Sequence, residues 1–97
     1  MAMFDQAKML MKIKKAQKEL ANQIIEVEAG DGAVVVRISG EQKLKKISID
    51  PDQVDLEDIA ELEKWVESAV KEAISKSQEV AAEKMKPLMG GLGDLGL

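Results

Sequence analysis

A chain of 97 residues is long enough for one small domain with a thin core, so a second copy of the chain is expected to complete that core. It contains no histidine and no cysteine, which excludes any disulfide framework and most nucleophile, proton-shuttle and zinc chemistry, so we expect no enzyme activity, cofactor, metal site or small-molecule substrate. The net charge of −4 does not exclude a polyanionic partner, because a polyanion responds to the local potential of a surface.

The first predicted element is an amphipathic helix over residues 3 to 24, a stretch without glycine or proline. Its apolar residues recur at steps of three, four and seven, as on the buried face of a helix. One polar residue, Gln17, interrupts this stripe, which includes Leu10, Ile13 and Leu20. Five lysines lie away from the stripe, on the opposite face or on a neighbouring flank: Lys8, Lys12, Lys14, Lys15 and Lys18.

A β-hairpin is predicted next, because the period of the apolar pattern changes to two. Ile25, Val27 and Ala29 alternate with glutamates. Gly-Asp-Gly at residues 30 to 32 predicts a tight turn into a second strand at residues 33 to 39. The same Gly-Asp-Gly could belong to a phosphate loop, but it lacks the strand-to-helix context and the Lys-Ser/Thr pair of such a loop.

A third strand is predicted over residues 43 to 49, and Asp50-Pro51 ends it, since proline cannot donate to a strand ladder. Ile47 and Ile49 keep the alternation, whereas Leu44 is out of phase. A bulge near Lys45 would reconcile them. We therefore expect an α+β fold, an α-β-β-β-α protomer with a three-stranded antiparallel sheet.

The last predicted element is a long helix from Leu56 to Lys86, with Asp55 as its N-cap. At about 45 Å it is longer than a small sheet can cover, so its far end must project or meet another chain. Pro87 is expected to end it, which makes residues 1 to 87 one domain and residues 88 to 97 a flexible Gly/Leu-rich tail. Five apolar residues of its first half are the predicted dimer interface: Ile59, Leu62, Trp65, Val66 and Val70.

Charge is unevenly distributed along the chain. Residues 1 to 22 have five lysines and two acids, a net charge of +3, whereas residues 51 to 86 have a net charge of −5. An acidic protein can bind DNA when its basic groups share one surface. The alternative is that these lysines have no ligand: those on the helix form an ordinary solvated surface, and those on the edge strand block aggregation. The candidate DNA-binding residues are Lys8, Lys12, Lys14, Lys15, Lys18, Arg37, Lys43, Lys45 and Lys46.

Two other features favour structural roles. The acidic cluster at residues 50 to 58 could suggest a divalent metal, but it lacks the spacing and central glycine of a calcium loop, and N-capping explains it. Trp65 lies at the border of the apolar stripe of the long helix, a position that favours packing or a dimer contact over base stacking.

The order of these motifs resembles the YbaB/EbfC family of bacterial nucleoid-associated proteins. The resemblance covers essentially the whole chain: a Met/Lys/Gln-rich first helix, GDGAVVVRISG at residues 30 to 40, a lysine-bearing strand closing in Ile49-Asp50-Pro51, a long acidic-faced helix and a Gly/Leu tail. It implies an intertwined homodimer with projecting helices and double-stranded DNA as the partner. It implies no catalytic residues.

We therefore expect a cytoplasmic, nucleoid-associated homodimer that binds double-stranded DNA mainly through phosphates, with a role in DNA compaction or broad gene regulation. No apolar run approaches the roughly 18 residues of a membrane span, and no secretory signal is recognisable, so no membrane contact is expected. The alternative is a non-enzymatic adaptor for the replication or recombination machinery. Its partner would dock on an apolar strip of the first helix (Phe4, Ala7 and Met11) or on the C-terminal tail.

Overall fold

The computed structural model describes the backbone of residues 2 to 93 and the side chains of residues 5 to 88. In this range the chain forms two long helices and one antiparallel sheet, which confirms the predicted α-β-β-β-α protomer. A short 3-10 turn, Pro51–Gln53, follows the last strand. The elements are α1 (Ala2–Asn22), β1 (Ile24–Ala29), β2 (Val34–Ser39), β3 (Leu44–Ile49) and α2 (Ile59–Gly93).

The core lies between one face of the sheet and the first half of α2. The strands are ordered β1-β2-β3, and their register aligns Val27, Val36 and Ile47 in one row. Since side chains alternate between faces, most apolar residues of the three strands share this face, whereas Ile24 and Val35 lie on the other. α2 packs across β1 and β2 with small side chains, which lets the helix approach the sheet closely. The buried cluster is Val27, Val34, Val36, Ile38, Ala69 and Ala73.

The bulge predicted near Lys45 is present. Arg37 pairs with Lys46 and Ile38 pairs with Leu44, so Lys45 is the extra residue of β3. The bulge explains how Leu44 joins the apolar face despite being out of phase in the sequence.

The hairpin turn between β1 and β2 also agrees with the prediction. Gly30 and Gly32 have φ angles of 63° and 90°, a region that L side chains rarely adopt. The ring of Trp65 lies against Gly30, where a Cβ atom would be 2.6 Å from Cδ2 of the indole. The turn is therefore fixed both by its own backbone geometry and by the first half of α2.

The second half of α2 packs against α1 in an antiparallel pair. Glu19 bonds to Lys84, while Gln17 lies beside Met85, so the two sequences run in opposite directions. Ala16 and Leu20 are buried in this contact, whereas Gln17, which was expected on the apolar stripe, is exposed. The far end of α2 thus projects beyond the sheet with α1 as its partner, and the molecule extends over 66 × 23 × 15 Å.

The predicted start of the long helix was wrong. α2 begins at Ile59 with Asp58 as its cap, because the amide of Glu61 donates to Oδ1 of Asp58 at 3.2 Å. Asp55 instead accepts from the amide of Glu57 at 2.9 Å and closes a turn that precedes the helix. Both aspartates are competent caps, and the local turn takes the first of them.

The predicted end of the helix at Pro87 was also wrong. α2 continues through this proline to Gly93, so helical backbone covers residues 88 to 93. A proline removes one helical hydrogen bond and crowds the carbonyl four residues earlier, but the turns beyond it form their own bonds. Residues 94 to 97 of the predicted tail lie outside the described residues, and its flexibility remains a prediction.

Candidate nucleic-acid interface

The lysines of α1, here called the helix lysines (Lys8, Lys12, Lys14, Lys15 and Lys18), are all exposed. This follows from the packing of α1, whose Ala16 side faces α2 and leaves the other sides of the helix to solvent. Lys12 and Lys15 share a flank with Glu19, and Lys14 and Lys18 lie on another flank. The structure therefore presents positive charge on two sides of the projecting helix.

Glu19 is the main negative group among the helix lysines. Nζ of Lys84 lies 2.5 Å from Oε2 of Glu19, and this hydrogen bond, together with the charge of Lys84, lowers the pKa of Glu19 below its ordinary value of 4.5. Lys15 adds a smaller effect in the same direction. Glu19 is thus ionised at neutral pH and already has a cationic partner on α2, which leaves less of its charge to offset the lysines of α1.

A row of charged residues crosses the outer face of the sheet, away from α2. The register places Glu26 on β1, Arg37 on β2 and Lys46 on β3 side by side. Nε of Arg37 donates to Oε2 of Glu26 at 2.9 Å, and both side chains are about half exposed. The row has one carboxylate and two cations, so its net charge is positive even though Glu26 partly neutralises Arg37.

The remaining two predicted cations lie at the start of β3. Lys43 belongs to the β2–β3 turn and pairs loosely with Glu41 at 3.7 Å, and Lys45 occupies the exposed bulge. A surface cleft of about 400 Å³ brings Lys43 close to Gln17 of α1. Lys43 therefore lies on the side of the β2–β3 turn that adjoins α1. We call Arg37, Lys43, Lys45 and Lys46 the sheet cations.

The outer side of α2 has the opposite character. Its glutamates and lysines form pairs one helical turn apart, with Lys71 at 2.7 Å from Glu67 and Lys76 at 3.5 Å from Glu72. The hydrogen bond from Lys71 lowers the pKa of Glu67. Because these lysines already have carboxylate partners, this side of α2 offers phosphate little attraction.

The predicted dimer-interface residues are in two environments. Leu62, Trp65, Val66 and Val70 are partly buried against the core of their own protomer, whereas Ile59 is 45% exposed. The first four therefore contribute to the fold of the single chain, and only part of their surface remains for a second copy.

Sequence reasoning missed a larger exposed apolar surface on β3. Leu44, Ile47 and Ile49 point to the same side of the sheet as the core, but they are 53%, 38% and 45% exposed because α2 packs over β1 and β2. Ile74 of α2 is also exposed. The alternation of Ile47 and Ile49 in the sequence indicates a common face but not whether another element covers it, and only the position of α2 shows that this part of the face is uncovered. We call Leu44, Ile47 and Ile49 the apolar strip.

Other kinds of site have no support among the described side chains. No three acidic groups in residues 5 to 88 gather closely enough to hold a metal ion. Within the described helices, no segment combines the length and apolar character that crossing a bilayer requires.

Comparison with known proteins identifies the family of the chain. A family model described as the YbaB/EbfC DNA-binding family matches residues 1–92. The chain is similar to a nucleoid-associated protein of Ruminiclostridium cellulolyticum, with 41% identity over 91% of this chain and 76% of the other. It is also similar to a nucleoid-associated protein of Chloroflexus aggregans, with 40% identity over 90% of this chain and 87% of the other.

The fold has a counterpart among solved structures. The crystal structure of uncharacterized protein HP0035 from Helicobacter pylori superposes with a TM-score of 0.64 over 79% of this chain and 87% of that one. Sequence identity is 22%, so the likeness concerns the fold alone.

Proposed function

The chain belongs to the YbaB/EbfC family of nucleoid-associated DNA-binding proteins, and from that premise we propose that it binds double-stranded DNA as a homodimer, mainly through phosphate contacts. Its place would be the nucleoid in the bacterial cytoplasm, and its role DNA compaction or broad gene regulation. The observation that supports phosphate contacts is the separation of charge: the helix lysines lie on one exposed helix, and the glutamates of α2 lie on another.

Lysine determines the kind of DNA recognition that is proposed. A lysine ammonium is a compact point charge, well suited to a phosphate oxygen and poorly suited to bidentate reading of a base edge. Arg37, the one arginine of the chain, is already bonded to Glu26. Affinity should therefore depend little on sequence, and any preference should come from DNA shape or from the spacing of two protomers.

The apolar strip supports the homodimer. Leu44, Ile47 and Ile49 form a half-exposed aliphatic surface on a chain whose small core favours further burial. A second copy presents the same strip, so the two can cover each other around a two-fold axis. Such a dimer would present two sets of helix lysines and two sets of sheet cations on one object.

The experiment that tests the proposal measures fluorescence anisotropy of a labelled random-sequence duplex across salt concentrations. The triple variant Lys8→Ala, Lys12→Ala and Lys15→Ala should bind more weakly. The slope of log affinity against log salt should become shallower by about 0.9 for each phosphate that the variant no longer neutralises.

The matched control removes three lysines from the other surface. Lys64→Ala, Lys71→Ala and Lys76→Ala change the net charge by the same amount but lie on the exposed side of α2. This control should keep nearly the full salt slope of the unaltered protein. Equal losses of affinity in both triple variants would mean that the net charge, and not the position of the lysines, determines duplex binding. No binding to any duplex at low salt would refute the proposal.

A second candidate function is an adaptor for replication or recombination proteins. The observation that favours it is the exposure of apolar side chains on α1: Met11 is 71% exposed and Leu10 is 58% exposed. Phe4 is one of the three residues of the docking surface predicted on α1, and its side chain lies outside the described residues. Met11→Gln and deletion of residues 88 to 97 should leave duplex binding intact under either function. Loss of a purified partner's binding in these variants would favour the adaptor.

A further inference from the structure

The turn between β2 and β3 is bonded to both helices. The amide of Gly40 donates to the carbonyl of Leu20 at 2.9 Å and to the carbonyl of Gln23 at 3.0 Å. Leu20 lies in the last turn of α1 and Gln23 follows the helix, where carbonyls lack the regular helical donors; the carbonyl of Leu20 also accepts from the amide of Gln23 at 3.2 Å. The turn therefore caps α1 as well as linking the two strands.

The same turn is held from the other side by a buried hydroxyl of α2. Oγ of Ser77 donates to the carbonyl of Ser39 at 2.6 Å and accepts from the backbone amide of Gln42 at 3.1 Å and from its Nε2 at 2.9 Å. Gln42 has a φ angle of 64°, an uncommon conformation for a residue with a side chain, and these bonds stabilise it. Ser77 is fully buried at the level where α2 passes from the sheet to α1.

The contact between the turn and α1 leaves no free space. A Cβ atom on Gly40 would lie 2.8 Å from the backbone oxygen of Leu20 and 2.8 Å from its Cδ2. A backbone oxygen cannot be displaced without moving its helix, so any larger residue at position 40 would push α1 away from the sheet. We call Leu20, Ser39, Gly40, Gln42 and Ser77 the joint.

We infer that the joint sets the angle between α1 and the sheet, and that Gly40 and Ser77 are therefore positioning residues for DNA binding. This inference rests on the proposed function. The helix lysines lie on α1 and the sheet cations on β2, β3 and their turn; α1 contacts β2 here, continues into β1 through Gln23, and otherwise packs against α2. One duplex can contact both groups at once only if α1 keeps its direction relative to β3.

The length of α1 makes the angle matter. Lys8 is twelve residues from Leu20, which is about 18 Å along a helix. A rotation of about 10° at the joint would displace it by about 3 Å, as much as a whole hydrogen-bond length. A small change at Gly40 or Ser77 can therefore remove phosphate contacts that neither residue makes itself.

The first test measures the angle without DNA. The chain contains no cysteine, so spin labels can be attached to Met11→Cys on α1 and Gln53→Cys beyond β3, with unlabelled protein in excess to remove distances between protomers. Gly40→Ala and Ser77→Ala should each shift or broaden the measured distance. An unchanged distribution in both variants would overturn the inference.

Two control variants separate the joint from general destabilisation. Gly32→Ala strains a turn at the other end of the sheet, where the nearest atom to a new Cβ is 3.8 Å away. Ser75→Ala removes an exposed hydroxyl from α2 two residues before Ser77. Neither control should change the distance, and a shift in the controls equal to that in the joint variants would also overturn the inference.

The second test is a double-mutant cycle with the duplex. In the unaltered protein, the triple variant Lys8→Ala, Lys12→Ala and Lys15→Ala should weaken binding by about tenfold, whereas in the Gly40→Ala background the same change should cost less than about twofold. Ser77→Ala serves as the background if Gly40→Ala fails to fold.

The outcomes distinguish the inference from its premise. Equal factors in both backgrounds would show that the helix lysines act independently of the joint and would overturn the inference alone. Absence of duplex binding by the unaltered protein would overturn the proposed function and the positioning role with it, whatever the spin-label distances show.

Discussion

The indole ring of Trp65 covers the Cα atom of Gly30 so closely that a Cβ atom there would lie 2.6 to 2.8 Å from three ring atoms. Gly30→Ala should therefore destabilise the fold by about 2–4 kcal/mol, because a φ angle of 63° and the contact with the ring both oppose the methyl group. Trp65 is the only tryptophan, so urea unfolding can be followed by its fluorescence.

Gly32→Ala is the control for this substitution. Its φ angle is also positive, but nothing lies closer than 3.8 Å to the added Cβ, so the cost should be only about 1 kcal/mol. Equal losses of stability in the two variants would mean that the contact with Trp65 adds nothing to the backbone effect.

Asp58→Ala should destabilise the protein by about 1 kcal/mol, because it removes the acceptor for the amide of Glu61 at the start of α2. Asp55→Ala, which alters only the turn before the helix, should cost less. Thermal unfolding of the two variants decides between the two caps. A larger destabilisation by Asp55→Ala would place the functional cap where the sequence alone suggested it.

Glu26→Gln should strengthen duplex binding. The substitution keeps the size of the side chain but removes the charge that holds Arg37 at 2.9 Å, so the arginine becomes available to a phosphate. We expect about a two- to fivefold gain in affinity at low salt, and a smaller gain as salt screens the site.

Glu28→Gln is the matched control for Glu26→Gln. Glu28 lies on the same strand and the same face, but its paired residue on β2 is the uncharged Val35. Anisotropy titrations should show a smaller gain for this variant. A gain as large as that of Glu26→Gln would assign the effect to net charge and not to release of Arg37.

Ile47→Asp should abolish or strongly weaken the proposed homodimer, because it places a charge in the middle of the apolar strip. Ser48→Asp adds the same charge to the next residue of β3, on the other face of the sheet, and should leave the dimer intact. Analytical ultracentrifugation gives the mass of each variant. A dimeric Ile47→Asp protein beside a monomeric Ser48→Asp protein would place the interface on the outer face.

Acid should weaken the contact between α1 and α2. The folded-state pKa of Glu19 lies below its ordinary value of 4.5, because Lys84 stabilises the carboxylate, so the unfolded chain takes up this proton first as the pH falls. The stability from this pair is complete above about pH 4.5 and is lost as the pH falls through the folded-state pKa. Lys84→Gln should lower stability at neutral pH, and the difference from the unaltered protein should shrink in acid.

Two measurements check this pH dependence. In an NMR titration, the midpoint for the Glu19 carboxylate should lie at higher pH in Lys84→Gln than in the unaltered protein. Urea unfolding at neutral and acidic pH should show that the difference in stability disappears in acid. A difference that grows on acidification would reverse the assigned sign.

Features decided by neighbouring residues could be predicted from the sequence. The out-of-phase Leu44 located the bulge, and the lysine spacing on α1 predicted an exposed basic helix. The start of α2 could not be predicted, because Asp55 and Asp58 are equally good caps and the choice depends on the turn that joins α2 to the sheet. Pro87 lies within a helix for a similar reason: a proline weakens one turn but leaves the next residues free to continue the helix.

Features that depend on residues far apart in the sequence could not be predicted from local patterns. The pairing of Arg37 with Glu26 depends on strand register, because a shift of one residue between β1 and β2 would separate the two side chains. The exposure of Ile47 depends on where a helix about twenty residues away crosses the sheet. The position of Ser77 on the apolar stripe of the long helix indicated its burial, but nothing in the sequence pattern indicated its hydrogen bonds to Ser39 and Gln42.

The continuity of α2 has a consequence for hydrogen exchange. One helix is shared between the sheet and α1, so fraying can proceed inward from its far end without disturbing the strands, whereas opening near Ala69 and Ala73 requires the core to separate. Amide protons of α2 should therefore exchange in a graded order, fastest near the C-terminal end and slowest beside the sheet. The steepest change in protection should fall just after Ser77, where contact with the strands ends and contact with α1 begins.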